Sequence, residues 1–213
     1  GQNSILIIKG ANNRLLPRDI DEAEADLKKC GMILLQLEIP LETVYYAIDF
    51  GQKHGIPVLL NPAPATKDLS IEKVCACDFF VPNETELAIL TGMPAETVEE
   101  IERAAETLLA RGLKNVIVTM GGRGSLWMTG AEKYSLGAYQ VAAVDTSGAG
   151  DAFIGCFAGC YVRHGDVRAA MQTASAFAAL SVTAKGTQMS YPAKDAVETF
   201  IASHAPLSFD TRS

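Results

Sequence analysis

The chain has 213 residues, 48% of them hydrophobic and 20% charged, which is enough apolar sequence to bury one sizeable core and excludes a fibrous or disordered protein. A formal net charge of −7, with no stripe rich in Lys and Arg, predicts that no nucleic acid is bound. The longest apolar run is far shorter than the roughly 20 residues that span a bilayer, so we expect no membrane partner and a cytoplasmic location.

Short apolar runs of strand length alternate with segments of helical periodicity along the chain. In chain order the predicted elements are a strand over 4–9, a helix over 17–30, a strand over 32–37, a helix over 41–54, a strand over 57–60, a short helix, a strand over 78–81, a helix over 97–111, a strand over 115–120, antiparallel strands over 125–144, and helices after Asp151, over 167–182 and over 194–203.

Continuous apolar strands separated by helices are typical of a mainly parallel sheet that is covered on both faces. We therefore expect one α/β domain over residues 1–213 with three layers, α/β/α. In such open sheets, ligands bind beyond the carboxyl ends of the strands. Glu38, Asn61, Asn83 and Gly121 each follow one of the predicted strands, so we expect them to lie at that edge.

The segment Asp145-Thr146-Ser147-Gly148-Ala149-Gly150-Asp151-Ala152-Phe153 joins a strand-like run to an apolar helix that we expect to be buried nearly all round. Its small residues let main-chain N–H groups at a helix start turn towards an anionic ligand, which the helix dipole also favours. The carboxylate of Asp151 would project beside them, within reach of an attacking hydroxyl. The alternative is structural: the glycines make a turn and Asp151 caps the helix.

Three further patterns have structural interpretations, and two of them have a second one. Asn83 and Glu86 fit a helix N-cap with a capping box. The glycines after Thr119 fit a hairpin loop as well as a phosphate loop. Small residues on the 167–182 helix allow close helix packing or leave a slot for a flat base such as adenine.

The 145–153 string resembles the C-terminal signature of the PfkB-type, or ribokinase, family of carbohydrate kinases. The N-x-x-E string at Asn83, the T-x-G element at Thr119, and residues 60–65 and 185–188 resemble that family as well, and the resemblance covers essentially the whole chain. It implies a ribokinase-like fold, with Asp151 as catalytic base and the amides of Gly148, Ala149 and Gly150 as the anion hole.

The same resemblance implies binding roles for a larger set of residues. Those at the nucleotide are Asn83, Thr119, Gly121, Gly122, Arg123 and Gly124. Glu86 would hold Mg²⁺ through water, and Glu38 would contact the sugar together with Asp151. The residues around a monovalent cation, K⁺, are Asp145, Ser147, Ser181, Ala184, Gly186 and Ser190. Spacing alone instead favours a helix that is capped at Ala184-Lys185-Gly186 and runs into an ordinary loop.

The implied activity is transfer of the γ-phosphate of ATP to the primary hydroxyl of a pentose, D-ribose giving ribose 5-phosphate, and the implied assembly is a homodimer of the full-length protein. A full family member is expected to have roughly another hundred residues before Gly1, which carry the first strands, part of the sugar site and a lid. We therefore expect this chain alone to turn over poorly. The alternatives are a nucleotide-binding or regulatory domain without catalysis, and a related kinase that acts on fructose or a nucleoside.

Overall fold

The computed structural model describes residues 10–209 of the chain. Their six strands form one sheet in which spatial order follows chain order. Strands β1 to β4 run parallel, and β5 and β6 are antiparallel additions at one edge. The strands are β1 Ile33–Leu35, β2 Val58–Leu60, β3 Phe79–Phe80, β4 Val116–Thr119, β5 Ser125–Met128 and β6 Lys133–Leu136. The strand predicted over 4–9 lies outside the described residues.

Nine α-helices connect and cover these strands within residues 10–209. They are α1 Pro17–Glu22, α2 Glu24–Leu27, α3 Leu41–His54, α4 Ile71–Val74, α5 Glu84–Thr91, α6 Val98–Ala110, α7 Ala149–His164, α8 Val167–Ser181 and α9 Lys194–Ser203. The bounds of α3 and α9 are those that the sequence pattern predicts. No helix in this part of the chain is long and apolar enough to cross a membrane.

Successive strand residues point to opposite faces of the sheet, and both faces are buried. Leu60 and Val118 belong to a core cluster that includes residues of α3 and α6. Leu59 and Ile117, their neighbours in sequence, belong to a second cluster with residues of α7 and α8. This alternation is why the strands read as continuous apolar runs. The predicted three-layer α/β/α fold with a mainly parallel sheet is confirmed.

The prediction of one continuous helix over 17–30 is wrong. Ala23 leaves helical geometry (ψ 4°), so α1 and α2 are separate short helices. Asp21 and Glu24, on either side of Ala23, would be like charges three residues apart on one continuous helix, which disfavours it.

The antiparallel strands predicted over 125–144 end earlier, at Leu136. Residues 137–144 form no regular strand. Instead Ala138 to Val141 line a cavity, and the backbone of Leu207 lies directly against Gly137. The backbone at Leu207 thus occupies the place beside Gly137 where strand pairing would otherwise continue.

Helix α7 is not buried nearly all round, as its apolar sequence suggested. Phe153 and Phe157 lie in the core, whereas Asp151, Gly155 and Arg163 are exposed on one face. That face lines a cavity of about 900 Å³ together with residues of α8 and α9. The pattern failed here because the glycines and cysteines of this face resemble core residues in composition.

Candidate active site

Helix α7 begins directly after Gly148, which takes the left-handed conformation (φ +75°). An added Cβ there would also lie 3.1 Å from Cγ2 of Thr187. Both observations require glycine at this position, because other residues rarely adopt positive φ and would crowd Thr187. Ala149, Gly150 and Asp151 follow as the first three helical residues.

The anion cradle predicted at the amides of Gly148, Ala149 and Gly150 stays a prediction, and the N–H of Ala149 is engaged within the protein. The first intrahelical hydrogen bond runs from the N–H of Ala152 to the carbonyl of Gly148 (2.9 Å), and the N–H of Ala149 donates to Thr146 (3.3 Å). By helix geometry, the N–H groups of Gly150 and Asp151 have no intrahelical acceptor. A Cβ added at Gly150 would meet no atom within 4 Å. The open space therefore lies beside Gly150, two residues after Gly148.

Asp151 lies at the junction of two cavities. Ala149 and Gly150 line the first, of about 620 Å³, and Asp151 lines the second, the 900 Å³ cavity against α7. The side chain of Asp151 is exposed rather than turned into the core. The first turn of α7 thus borders both cavities.

The predicted nucleotide residues meet along one wall of the first cavity. Asn83 and Thr119 are bridged in parallel across the ends of β3 and β4, with the N–H of Thr119 donating to the carbonyl of Pro82 (3.0 Å). Asn83 and Thr119 line the cavity together with Gly121, Gly122 and Gly124. The turn after Thr119 is thus both a hairpin connection from β4 to β5 and a glycine-rich cavity wall.

The opposite wall of the first cavity comes from α8 and the non-strand segment after β6. It includes Ser175, Ala178, Ala179 and Val182, and the residues from Ala138 to Val141. The small residues of α8 also pack against α7, as the close-packing interpretation expects, and the slot for a flat base stays a prediction. A slot with small apolar walls suits a flat aromatic base.

Arg123, one of the predicted nucleotide residues, is engaged with protein groups. Its Nη2 forms an ion pair with the carboxylate of Glu84, and its Nη1 donates to the carbonyl of Glu96 (2.5 Å). It is not among the residues that line the first cavity. These contacts tie the Gly121–Arg123 turn to the start of α5, and its contact with nucleotide stays a prediction.

Asn83 and Glu86 form the reciprocal capping box of α5. The side chain of Asn83 accepts from the N–H of Glu86 (2.8 Å), and Oε2 of Glu86 accepts from the N–H of Asn83 (2.8 Å). Asn61, at the end of β2, donates from Nδ2 to the carbonyl of Val81 (2.8 Å) and lies 3.5 Å from Oε2 of Glu86. Burial raises the pKa of Glu86, while the bonds from Asn83 and Asn61 lower it.

The donor set around Glu86 fits Mg²⁺ held through water. Glu86 is half-buried behind Asn83 and is not among the residues that line the first cavity. Its carboxylate is therefore not placed for direct contact with a ligand in that cavity. Among residues 10–209, no group of three or more His, Cys, Asp or Glu side chains is arranged to hold a metal ion. Magnesium in phosphoryl-transfer sites uses one or two carboxylates and keeps several waters.

Asp145 joins the two loops predicted to hold a monovalent cation. Its Oδ1 accepts from the N–H of Ser147 (3.0 Å) and its Oδ2 from the N–H of Gly186 (3.0 Å). These backbone bonds, chiefly that from Gly186, lower the pKa of Asp145 and favour the carboxylate. One ionised carboxylate among loop carbonyls fits a monovalent cation.

The other three residues predicted at the cation divide by their environment. Ser181 and Ser190 are buried and donate to the carbonyls of Ala178 (2.8 Å) and Thr187 (2.7 Å), whereas Ala184 is exposed. Helix α8 ends at Ser181, so the segment through Gly186 is a loop rather than the capped helix end of the alternative interpretation. Their part in binding a cation stays a prediction.

Glu38, the predicted sugar contact, is exposed just beyond the end of β1. It is not among the residues that line either cavity, so the described residues do not bring it together with Asp151.

Several cavity residues carry no motif in the sequence. Tyr139, Gln140 and Leu207 line the first cavity. The backbone of Gly137 is covered by that of Leu207, 70 positions further along. Contacts of this range depend on the folded chain, so only Gly137 itself gave a local sign of close backbone approach.

Comparison with known proteins identifies a family and related sequences. Residues 1–194 match the model of the pfkB family carbohydrate kinases. The chain is 62% identical over 200 residues to a deoxyribokinase of Salmonella typhimurium, covering 94% of this chain and 65% of that protein. It is 38% identical over 197 residues to the ribokinase of Schizosaccharomyces pombe, covering 90% and 61%. The chain therefore spans about 65% of the length of the deoxyribokinase.

Two solved structures have the same fold. The ribokinase of Arabidopsis thaliana complexed with ribose and ATP superposes with a TM-score of 0.85 at 32% identity, covering 94% of this chain and 65% of that one. The ribokinase of Thermotoga maritima gives a TM-score of 0.83 at 36% identity, with coverage of 95% and 66%. The family match over residues 1–194, the ribokinase-like fold and the glycine cradle beside Asp151 lead to one conclusion: this chain belongs to the pfkB family of carbohydrate kinases.

Proposed function

We propose that this chain carries the phosphoryl-transfer site of an ATP-dependent pentose kinase, with 2-deoxy-D-ribose as the preferred acceptor and D-ribose, the acceptor expected from the sequence, as the second. The order of the sugars is supported by identity of 62% to a deoxyribokinase against 38% to a ribokinase. The structural neighbour complexed with ribose and ATP supports the pairing of a pentose with ATP.

The observation that carries the proposal is the position of Asp151 between the two cavities. The first cavity carries the glycine-rich wall and the cradle and suits the nucleotide. The second opens beside the carboxylate and suits the acceptor. Both cavities border the start of α7, which is where a phosphoryl group would cross from one ligand to the other.

In the proposed reaction, a carboxylate oxygen of Asp151 accepts the proton of the sugar's C5 hydroxyl. The freed oxygen bonds to the γ-phosphorus, the bond from that phosphorus to the β,γ-bridging oxygen breaks, and ADP leaves. The N–H groups of Gly150 and Asp151 donate to the oxygens of the group in transit, where charge is greatest. Because these donors are fixed by a helix packed in the core through Phe153 and Phe157, they need no reorganisation during transfer.

Mg²⁺ and K⁺, when bound, supply positive charge that offsets the phosphate oxygens. Glu86 would hold Mg²⁺ through water, and its capping bonds to Asn83 fix the direction of its carboxylate. Asp145 would hold K⁺ with loop carbonyls, and its bonds to Ser147 and Gly186 keep the two loops together beside the cradle.

The proposal is tested by incubating the chain with γ-³²P-labelled ATP, Mg²⁺ and K⁺ and one sugar at a time: 2-deoxyribose, ribose, fructose or adenosine. We expect labelled sugar phosphate with the two pentoses, and a higher kcat/KM for 2-deoxyribose than for ribose. A higher kcat/KM for ribose would overturn the order of the sugars, and label only in fructose or adenosine would overturn the pentose class.

A second candidate is a domain that binds nucleotide without sugar turnover. It is favoured by the position of Glu38, the predicted sugar contact, which lines neither cavity. For this candidate, ATP at about 100 times its Kd still raises the free energy of unfolding by about 2.7 kcal/mol, while no labelled sugar forms. The homodimer and the cytoplasmic location expected from the sequence stay predictions.

A further inference from the structure

The chain continues beyond α9 as an extended segment over 204–209, which we name the C-terminal strap. It lies outside residues 1–194, the part of the chain that the family model matches.

The strap is held against the segment that follows β6. The N–H of Leu207 donates to the carbonyl of Ala138 (2.9 Å). A Cβ added at Gly137 would lie 2.0 Å from the carbonyl oxygen of Leu207, so the strap takes this path only because residue 137 is glycine. Further along, Phe209 packs against the first core cluster. These contacts hold the strap on both sides of the point where it passes over Gly137.

This path brings Leu207 to the mouth of the first cavity. Leu207 is 48% exposed and lines that cavity, as do Ala178, Ala179 and Val182 of the opposite wall. The cradle, which suits phosphates, belongs to a different element, α7, whereas Gly124 of the glycine-rich turn lies against residues 136–138, next to the strap. Leu207 therefore adds an apolar side chain to the cavity, which suits contact with a base rather than with a phosphate.

We propose that Leu207 is a nucleotide-binding residue, which the strap holds over the base of ATP as an outer wall of the cavity. This inference rests on the proposed function, since it assigns the first cavity to ATP. Part of the leucine side chain leaves water when a base binds against it, so its removal weakens ATP binding by about fivefold. Phosphate binding at the cradle needs no contact with the strap.

The experiment measures Kd by calorimetry for two probes, ATP and inorganic tripolyphosphate, which has three phosphates and no base. Leu207→Ala is expected to weaken ATP about fivefold and to leave tripolyphosphate unchanged. Gly137→Ala is expected to do the same by displacing the strap, and the double variant is expected to be no weaker than either single variant. Matched controls are Ser208→Ala on the exposed side of the strap and Gly130→Ala, where an added Cβ meets nothing within 4 Å.

Unchanged ATP affinity in Leu207→Ala would overturn the inference alone, as would an equal loss for ATP and tripolyphosphate. A wild-type chain that binds neither probe would overturn the proposed function and the inference with it. Because Leu207 is half-exposed, its truncation is expected to leave the chain folded; a melting temperature within about 2 °C of wild type checks this.

Discussion

The two glycines of the cradle are predicted to respond to alanine in opposite ways. Gly148 has a positive φ and a close neighbour in Thr187, so its lack of a side chain serves the fold. Gly150 has ordinary helical geometry and open space around it, so its lack of a side chain serves the ligand. Gly148→Ala should therefore lower stability, and Gly150→Ala should lower ATP affinity without loss of stability.

The magnitudes follow from the geometry. A non-glycine residue in the left-handed region costs roughly 1–2 kcal/mol, and each kcal/mol lowers the melting temperature by about 2–4 °C in a chain of this size. Alanine at Gly150 gains up to about 1 kcal/mol of helix propensity. Its methyl group, however, occupies the space of the anion and disrupts a charge-assisted hydrogen bond worth about 1.5–3 kcal/mol, which is about 10- to 100-fold in Kd.

The assay pairs thermal unfolding without ligand with calorimetric titration of MgATP. Gly155→Ala is the matched control for Gly150→Ala, because it also lies in α7 with no atom within 4 Å of an added Cβ and does not line the first cavity. We expect it to keep wild-type ATP affinity. Full ATP affinity in Gly150→Ala, or equal destabilisation of the Gly148 and Gly150 variants, would refute the assignment of the cradle.

Two further predictions concern the acidic residues beside the cavities. Burial raises the pKa of Glu86 above its ordinary value of 4.5, so the native state binds this proton more tightly than the unfolded chain does. The stability that the protonated side chain contributes is therefore lost as pH rises from 4.5 through the native pKa. Glu86→Gln should therefore gain stability relative to wild type between pH 4.5 and 7.5 in urea unfolding; a difference independent of pH would contradict this. For Asp145→Asn, which weakens the link to Ser147 and Gly186, we expect ATP affinity no longer to increase when K⁺ replaces tetramethylammonium, and a response equal to wild type would count against the cation site.

Local sequence patterns predicted much of the fold because they report local causes. The bounds of α3 and α9 follow from helical periodicity, and the capping box at Asn83 and Glu86 follows from residue type and spacing. The turn at Gly148 and the start of α7 were also accessible, since a glycine-rich turn into an apolar helix specifies backbone geometry over a few residues.

Features that depend on distant parts of the chain were not accessible in this way. Residues 137–144 have strand-like composition, but the backbone of Leu207 covers Gly137 and the segment becomes a cavity wall. The exposed face of α7 was taken for core because apolar and small residues pack equally well in both settings. Arg123 forms an ion pair with Glu84 in α5, which a spacing of 39 residues does not specify.

The most direct test of the account is to compare Asp151→Asn with wild type in two measurements on the same preparation. We predict that the Kd for MgATP stays within about twofold, because the amides of the cradle are retained, while the rate of labelled sugar phosphate formation falls on the order of 100-fold or more through loss of the base. Sugar phosphate formed by Asp151→Asn at the wild-type rate would contradict the central claim that this carboxylate takes the proton between the two cavities.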